Sequence, residues 1–160
     1  MTPSFNKRAF AQSIGLCFMF ALFGTLLVGD ALETWFDLLV KPAILVPLWV
    51  FILVGVLYYV LFIGVLYRIF TRIESERAKR QALGWALLVL LLNELFNYVF
   101  FGWQSTLAGF VGIVIFLPPL SLLIASLWKS DRPSAIALLP YWLWVIYDLV
   151  WTYQLWQLNG

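Results

Sequence analysis

The chain has no histidine, a single cysteine in 160 residues, and only 11% charged residues. Each shortage closes off a class of chemistry. Without histidine or clustered cysteines, a zinc or haem site built from the common side-chain ligands is not expected. One thiol, Cys17, permits no internal disulfide. No glycine-rich phosphate loop, nucleophile elbow or calcium loop appears, so no catalytic residue, metal or cofactor is assigned, and an enzymatic role is the less favoured reading. The scarcity of charge also leaves too little polar surface to wrap a water-soluble globule.

What fills the chain is hydrophobic: 64% of residues, gathered into long runs separated by short polar joints. A helical crossing of a bilayer takes about 20 apolar residues. Five stretches meet that demand, at about 9–28, 44–67, 82–101, 106–128 and 134–158. They predict an all-α integral membrane protein, a five-transmembrane-helix bundle forming one membrane domain over 1–160. The first run follows Lys7 and Arg8 as a secretory signal would, but it is longer than a signal core and reaches Gly29-Asp30 without a small-x-small cleavage site, so it is expected to stay as a span. Residues 29–43, with Asp30, Glu33, Trp35, Asp37 and Lys41, read as a structured loop. Pro47 is tolerable in a first helical turn. Pro118-Pro119 are expected to interrupt and kink the fourth span.

Basic residues near span ends are retained in the cytoplasm. Lys7, Arg8, Arg68, Arg72, Arg77, Lys79, Arg80, Lys129 and Arg132 fall on one side of the predicted topology and Lys41 alone on the other. The amino terminus is therefore expected inside, with the carboxyl terminus and the first loop outside. This asymmetry accounts for the net charge of +2 and gives no support for nucleic-acid binding.

Three blocks carry a resemblance. Trp35-Phe36-Asp37-Leu38-Leu39-Val40-Lys41-Pro42 is followed by Pro47, Trp49-Val50-Phe51 and Leu57-Tyr58. Leu92-Asn93, Phe96 and Phe100-Phe101-Gly102 form the second block; Pro140-Tyr141, Trp144 and Leu158-Asn159 form the third. In this order on a five-span chain, over roughly Trp35 to Asn159, they resemble the TspO/MBR (tryptophan-rich sensory protein or translocator protein) family. The resemblance implies a five-helix bundle, usually a homodimer, with a cavity beneath the first loop for a lipophilic small molecule such as a tetrapyrrole, a sterol or a synthetic ligand. A receptor or carrier of this kind needs no cofactor.

The departures are as informative. Phe36 stands for the family's usual tyrosine, Val46 for the first of two prolines, Val89 for glutamine, Gly55 and Phe96 for tryptophans, and Thr152 for asparagine. Asp148 stands where the family has a small residue facing its ligand. An altered cavity is expected, lined by Phe51, Asn93, Phe96, Trp144, Asp148 and Trp151, with Trp35 in the loop above.

Helical spacing puts Trp144, Asp148 and Trp151 on one stripe, an aromatic clamp holding an acid that could take a flat conjugated ligand or a cation. Trp151 could also refill the space left at Gly55. Glu94 and Asp148 are the two acids well inside predicted spans, where an ionisable side chain costs about 2.5–3.5 kcal/mol. Glu94 and Asn97 make a second polar site, with Asn97 and Tyr98 placed to satisfy Glu94; this pair reads best as a tie between helices. Ala108 and Gly112 form a small-xxx-small pair suited to a dimer contact.

The leading expectation is a membrane receptor or carrier for a small porphyrin-, sterol- or lipophilic-cation-like ligand. Alternatives are light-dependent porphyrin degradation through Trp144, proton- or cation-coupled transport through Glu94 and Asp148, and a scaffold subunit without a ligand.

Overall fold

A computed structural model describes residues 5–160. Its five long helices are α1 (Lys7–Val28), α3 (Leu48–Arg72), α4 (Glu76–Asn97), α5 (Thr106–Ser130) and α6 (Arg132–Asn159). A short α2 (Ala31–Thr34) and a 3-10 turn (Phe36–Leu38) lie in the first loop. No strand occurs among the described residues. The five long helices are each long and apolar enough to cross a membrane.

Side-chain caps set several starts. Asn6, Ser75 and Ser105 accept from the backbone N–H of Ala9, Ala78 and Ala108, satisfying donors that a first turn leaves free. Gly29 ends α1 at φ 55°, a left-handed value suited to glycine. The second span begins at Leu48 rather than 44, because Pro47 takes an extended conformation as the cap and disfavours helix in the residue before it. At its far end the helix runs on through Arg68 to Arg72, and the Ser75 cap starts α4 at Glu76. The broad basic joint read from the sequence thus shrinks to residues 73–75. Charged side chains end a hydrophobic run without ending a helix.

Pro118-Pro119 do not interrupt α5, which is continuous through both. The α6 indole of Trp142 donates to Ser121 Oγ at 2.9 Å, and Ser121 in turn donates to the Leu117 carbonyl at 2.9 Å. This pair of bonds ties α6 to α5 just past the prolines. Gly112 lies against Phe96 and Val99 of the same chain.

In the bundle α1 packs on α3 and α4, α4 on α5, α5 on α6, and α6 back on α3, a closed ring. The two ends of that ring differ. Toward the basic joints lies a largely aliphatic core in which Leu66, Ile69, Leu90, Leu120, Leu123 and Leu138 are fully buried together with the ring of Phe62. Arg68 clamps this end, its Nε and Nη2 donating to Asp131 at 2.8 and 2.6 Å, while Ser134 donates to the same carboxylate. Burial opposes the charge on Asp131, but the hydrogen bonds from Arg68 and Ser134 outweigh it and hold the carboxyl below its ordinary value. Toward the first loop the core is aromatic, centred on buried Phe100, Trp151 and Leu155.

Candidate functional site

The loop-end half of the bundle encloses a hollow of about 440 Å³, a size that suits a small organic ligand. Phe51, Asn93, Phe96, Trp144, Asp148 and Trp151 all border it, as do Glu94 and Asn97. Trp35 stands one ring back. Its indole meets Phe100 edge-on at 5.3 Å, and Phe36 is the loop aromatic at the wall.

Phe51 is the centre of the clamp on α6. Its ring meets Trp144 and Trp151 at 5.5 Å each, both near perpendicular. Trp151 Nε1 donates to Asp148 Oδ1 at 2.7 Å. The stripe read from helical spacing therefore faces inward as a unit. Thr152 behind it donates to the Asp148 carbonyl at 2.6 Å and is buried.

The expected refilling of the Gly55 space does not occur. A Cβ on Gly55 would meet nothing within 4 Å, because Trp151 spends its ring on Phe51 and Phe100, at 5.5 and 6.0 Å. The space belongs to the hollow.

Glu94, 1% exposed, is tied by three donors. Tyr59 donates its hydroxyl to Oε1, Asn93 donates to the same oxygen at 2.9 Å, and Asn97 donates to Oε2 at 3.3 Å. Tyr141 Oη donates to Asn93 Oδ1 at 3.4 Å, carrying the network from α3 through α4 to α6. Tyr98 takes no part; it packs on Trp103. The network also explains Gly24 on α1, where a Cβ would overlap the Glu94 carboxylate. Gly109 does the same for Phe100, whose ring occupies the place a side chain would need.

Tyr58 escaped the sequence reading as a site residue, although it belongs to the first block. It borders the hollow, and among the described residues its hydroxyl is the one buried side-chain polar atom without a partner. Gly24, Tyr59, Phe100 and Tyr147 also escaped, since each acts through a contact between distant segments.

The loop above is pinned to α6. Asn159 accepts from the Val40 N–H and donates to the Val40 carbonyl, both at 2.9 Å. Tyr147 Oη accepts from Val46 N–H and donates to the Ile44 carbonyl, both at 3.0 Å. The first of these bonds exists because valine rather than proline stands at 46, supplying an N–H.

Comparison with known proteins matches the TspO/MBR family model to residues 13–157. The chain belongs to the TspO/MBR family. Among its relatives are a tryptophan-rich protein TspO of Chlorobaculum tepidum, 26% identical over 156 residues (96% of this chain, 99% of that protein); one of Archaeoglobus fulgidus, 28% identical over 137 residues (86% and 88%); and protein CrtK of Rhodobacter capsulatus, 26% identical over 126 residues (78% and 78%). As a TspO/MBR protein with five span-length apolar helices, it is an integral multi-pass membrane protein.

Proposed function

We propose that this TspO/MBR protein is a membrane receptor or carrier that holds a small lipophilic ligand in the loop-end hollow. The observation that carries the reading is the convergence of Phe51, Phe96, Trp144 and Trp151 with Asn93 and Asp148 on one empty volume. Apolar walls bury the ligand and the few polar groups orient it. Leu48 and Ile52 of α3 border the hollow while being 52% and 60% exposed, so an entry between α3 and α1 from the lipid side fits the geometry. Phe36 and Trp35 act as a cap, held down by Asn159 and Tyr147.

With nine of its ten basic residues at or near one end, the bundle is oriented with that end in the cytoplasm and the loop outside. A proton or cation relay from Asp148 and Glu94 is less well supported, because the fully buried core toward the basic end is aliphatic, with Leu66, Leu90 and Leu120.

The test is a titration of the purified protein in nanodiscs with protoporphyrin, haem, cholesterol and lipophilic cations, followed by tryptophan emission. Saturable quenching by at least one class, lost in Gly55→Trp, is expected. Emission unchanged across all four classes overturns the reading.

A further inference from the structure

The charges around the hollow are of one sign. Its wall includes two carboxylates, Asp148 and Glu94, and no lysine or arginine. The base nearest in the loop, Lys41, lies over the Phe36 ring at 5.2 Å and pairs with Asp37 at 3.7 Å. It is not part of the wall.

The two acids are not equivalent. Glu94 is closed off at 1% exposure, with donors on both oxygens from Tyr59, Asn93 and Asn97. Asp148 is partly exposed and sits where three aromatic rings meet, Phe51 between Trp144 and Trp151. Rings packed edge to face leave part of their electron-rich faces uncovered, and such faces beside a carboxylate attract an organic ammonium through both charge and cation–π contact. The same arrangement repels a carboxylate-bearing ligand, since no base answers its charge. Beyond the clamp, the half-buried Phe96 ring borders the hollow, backed by the buried Phe100 ring stacked on it at 5.5 Å.

We propose that the hollow selects lipophilic amines, seating a positively charged nitrogen among Phe51, Trp144 and Trp151 against the Asp148 carboxylate, with the ligand's apolar body along Phe96. This rests on the hollow being a ligand site and adds the chemical class that it prefers.

Three probes of one shape test it: 1-pyrenemethylammonium, neutral 1-methylpyrene and 1-pyrenecarboxylate. Each is titrated into the protein in zwitterionic nanodiscs, with energy transfer from tryptophan to pyrene as the readout and empty nanodiscs subtracted. The ammonium is expected to bind about tenfold more tightly than the neutral probe, and the carboxylate more weakly still. Asp148→Asn should abolish the preference, read as the ratio of ammonium to neutral-probe affinity in the same variant, and Glu94→Gln should keep that ratio. Equal binding of all three probes overturns the amine preference and leaves the receptor reading standing. A preference that survives Asp148→Asn, or is lost in Glu94→Gln alone, overturns the assignment to Asp148. Binding of none of the three, with porphyrin, haem, sterol and lipophilic-cation titrations also silent, overturns both proposals.

Discussion

The basic end of the bundle and the loop end use apolar residues for opposite purposes. At the basic end Leu66, Ile69, Leu90 and Leu120, with the ring of Phe62 among them, are fully buried in one cluster. At the loop end large rings meet one another edge to face around a volume that none of them fills. Aliphatic side chains with several rotatable bonds adapt and close gaps; rigid rings braced on one another can hold a gap open. The lesson is that hydrophobicity alone does not distinguish a core from a binding site, whereas the kind of apolar side chain and what braces it does.

This contrast can be broken most forcefully at Phe62. Phe62→Ala is expected to cost about 3 kcal/mol, toward the low end for a core phenylalanine because lipid tails are themselves apolar. Phe51→Ala, beside existing empty volume, should cost clearly less and act mainly on ligand affinity. Thermal unfolding of both variants in the same nanodiscs decides it, and equal losses would erase the distinction.

Gly24→Ala probes the border of the two halves. Its methyl must displace the Glu94 carboxylate from a site fixed by three donors, at a cost of roughly 1–3 kcal/mol. The double variant Gly24→Ala with Glu94→Ala should recover part of that loss if the clash is the cause.

At the basic end, Asp131→Asn should cost about 1 kcal/mol at pH 7. The folded protein holds this carboxyl below its ordinary value of 3.8, so the contribution is complete above that value and is lost as pH falls through the lower, folded one. Melting curves of wild type and variant should therefore converge on acidification below about pH 4. The smallest stability effect is expected at Gly55. Gly55→Leu enters open space and gains helix propensity worth up to about 1 kcal/mol, so the melting temperature should hold or rise while pyrene-probe binding falls.

Much of the fold was legible because a bilayer demands long apolar runs, and five such runs with basic residues biased to one side leave little freedom. The helix ends were less legible. Pro47 and Ser75 moved them through local backbone chemistry that hydropathy does not register. Within the site, helical spacing put Trp144, Asp148 and Trp151 on one stripe of a regular helix, while the expectation that this stripe faces a cavity came from the family resemblance and not from the spacing. Gly24 could not be read the same way. Its meaning is the Glu94 carboxylate of another helix, and nothing near Gly24 in the chain announces that contact. Gly55 shows the same limit in reverse, for a glycine that admits a close neighbour and one that borders empty space look alike in sequence.

The bare position at Gly55 also makes the hollow accessible to chemistry from within. Cys17 is the single native thiol, and it is buried in the packed part of the molecule. A thiol introduced by Gly55→Cys would stand alone in the hollow as a reporter. The rate at which methanethiosulfonate reagents of either charge reach it would measure how guests enter and which charge is admitted.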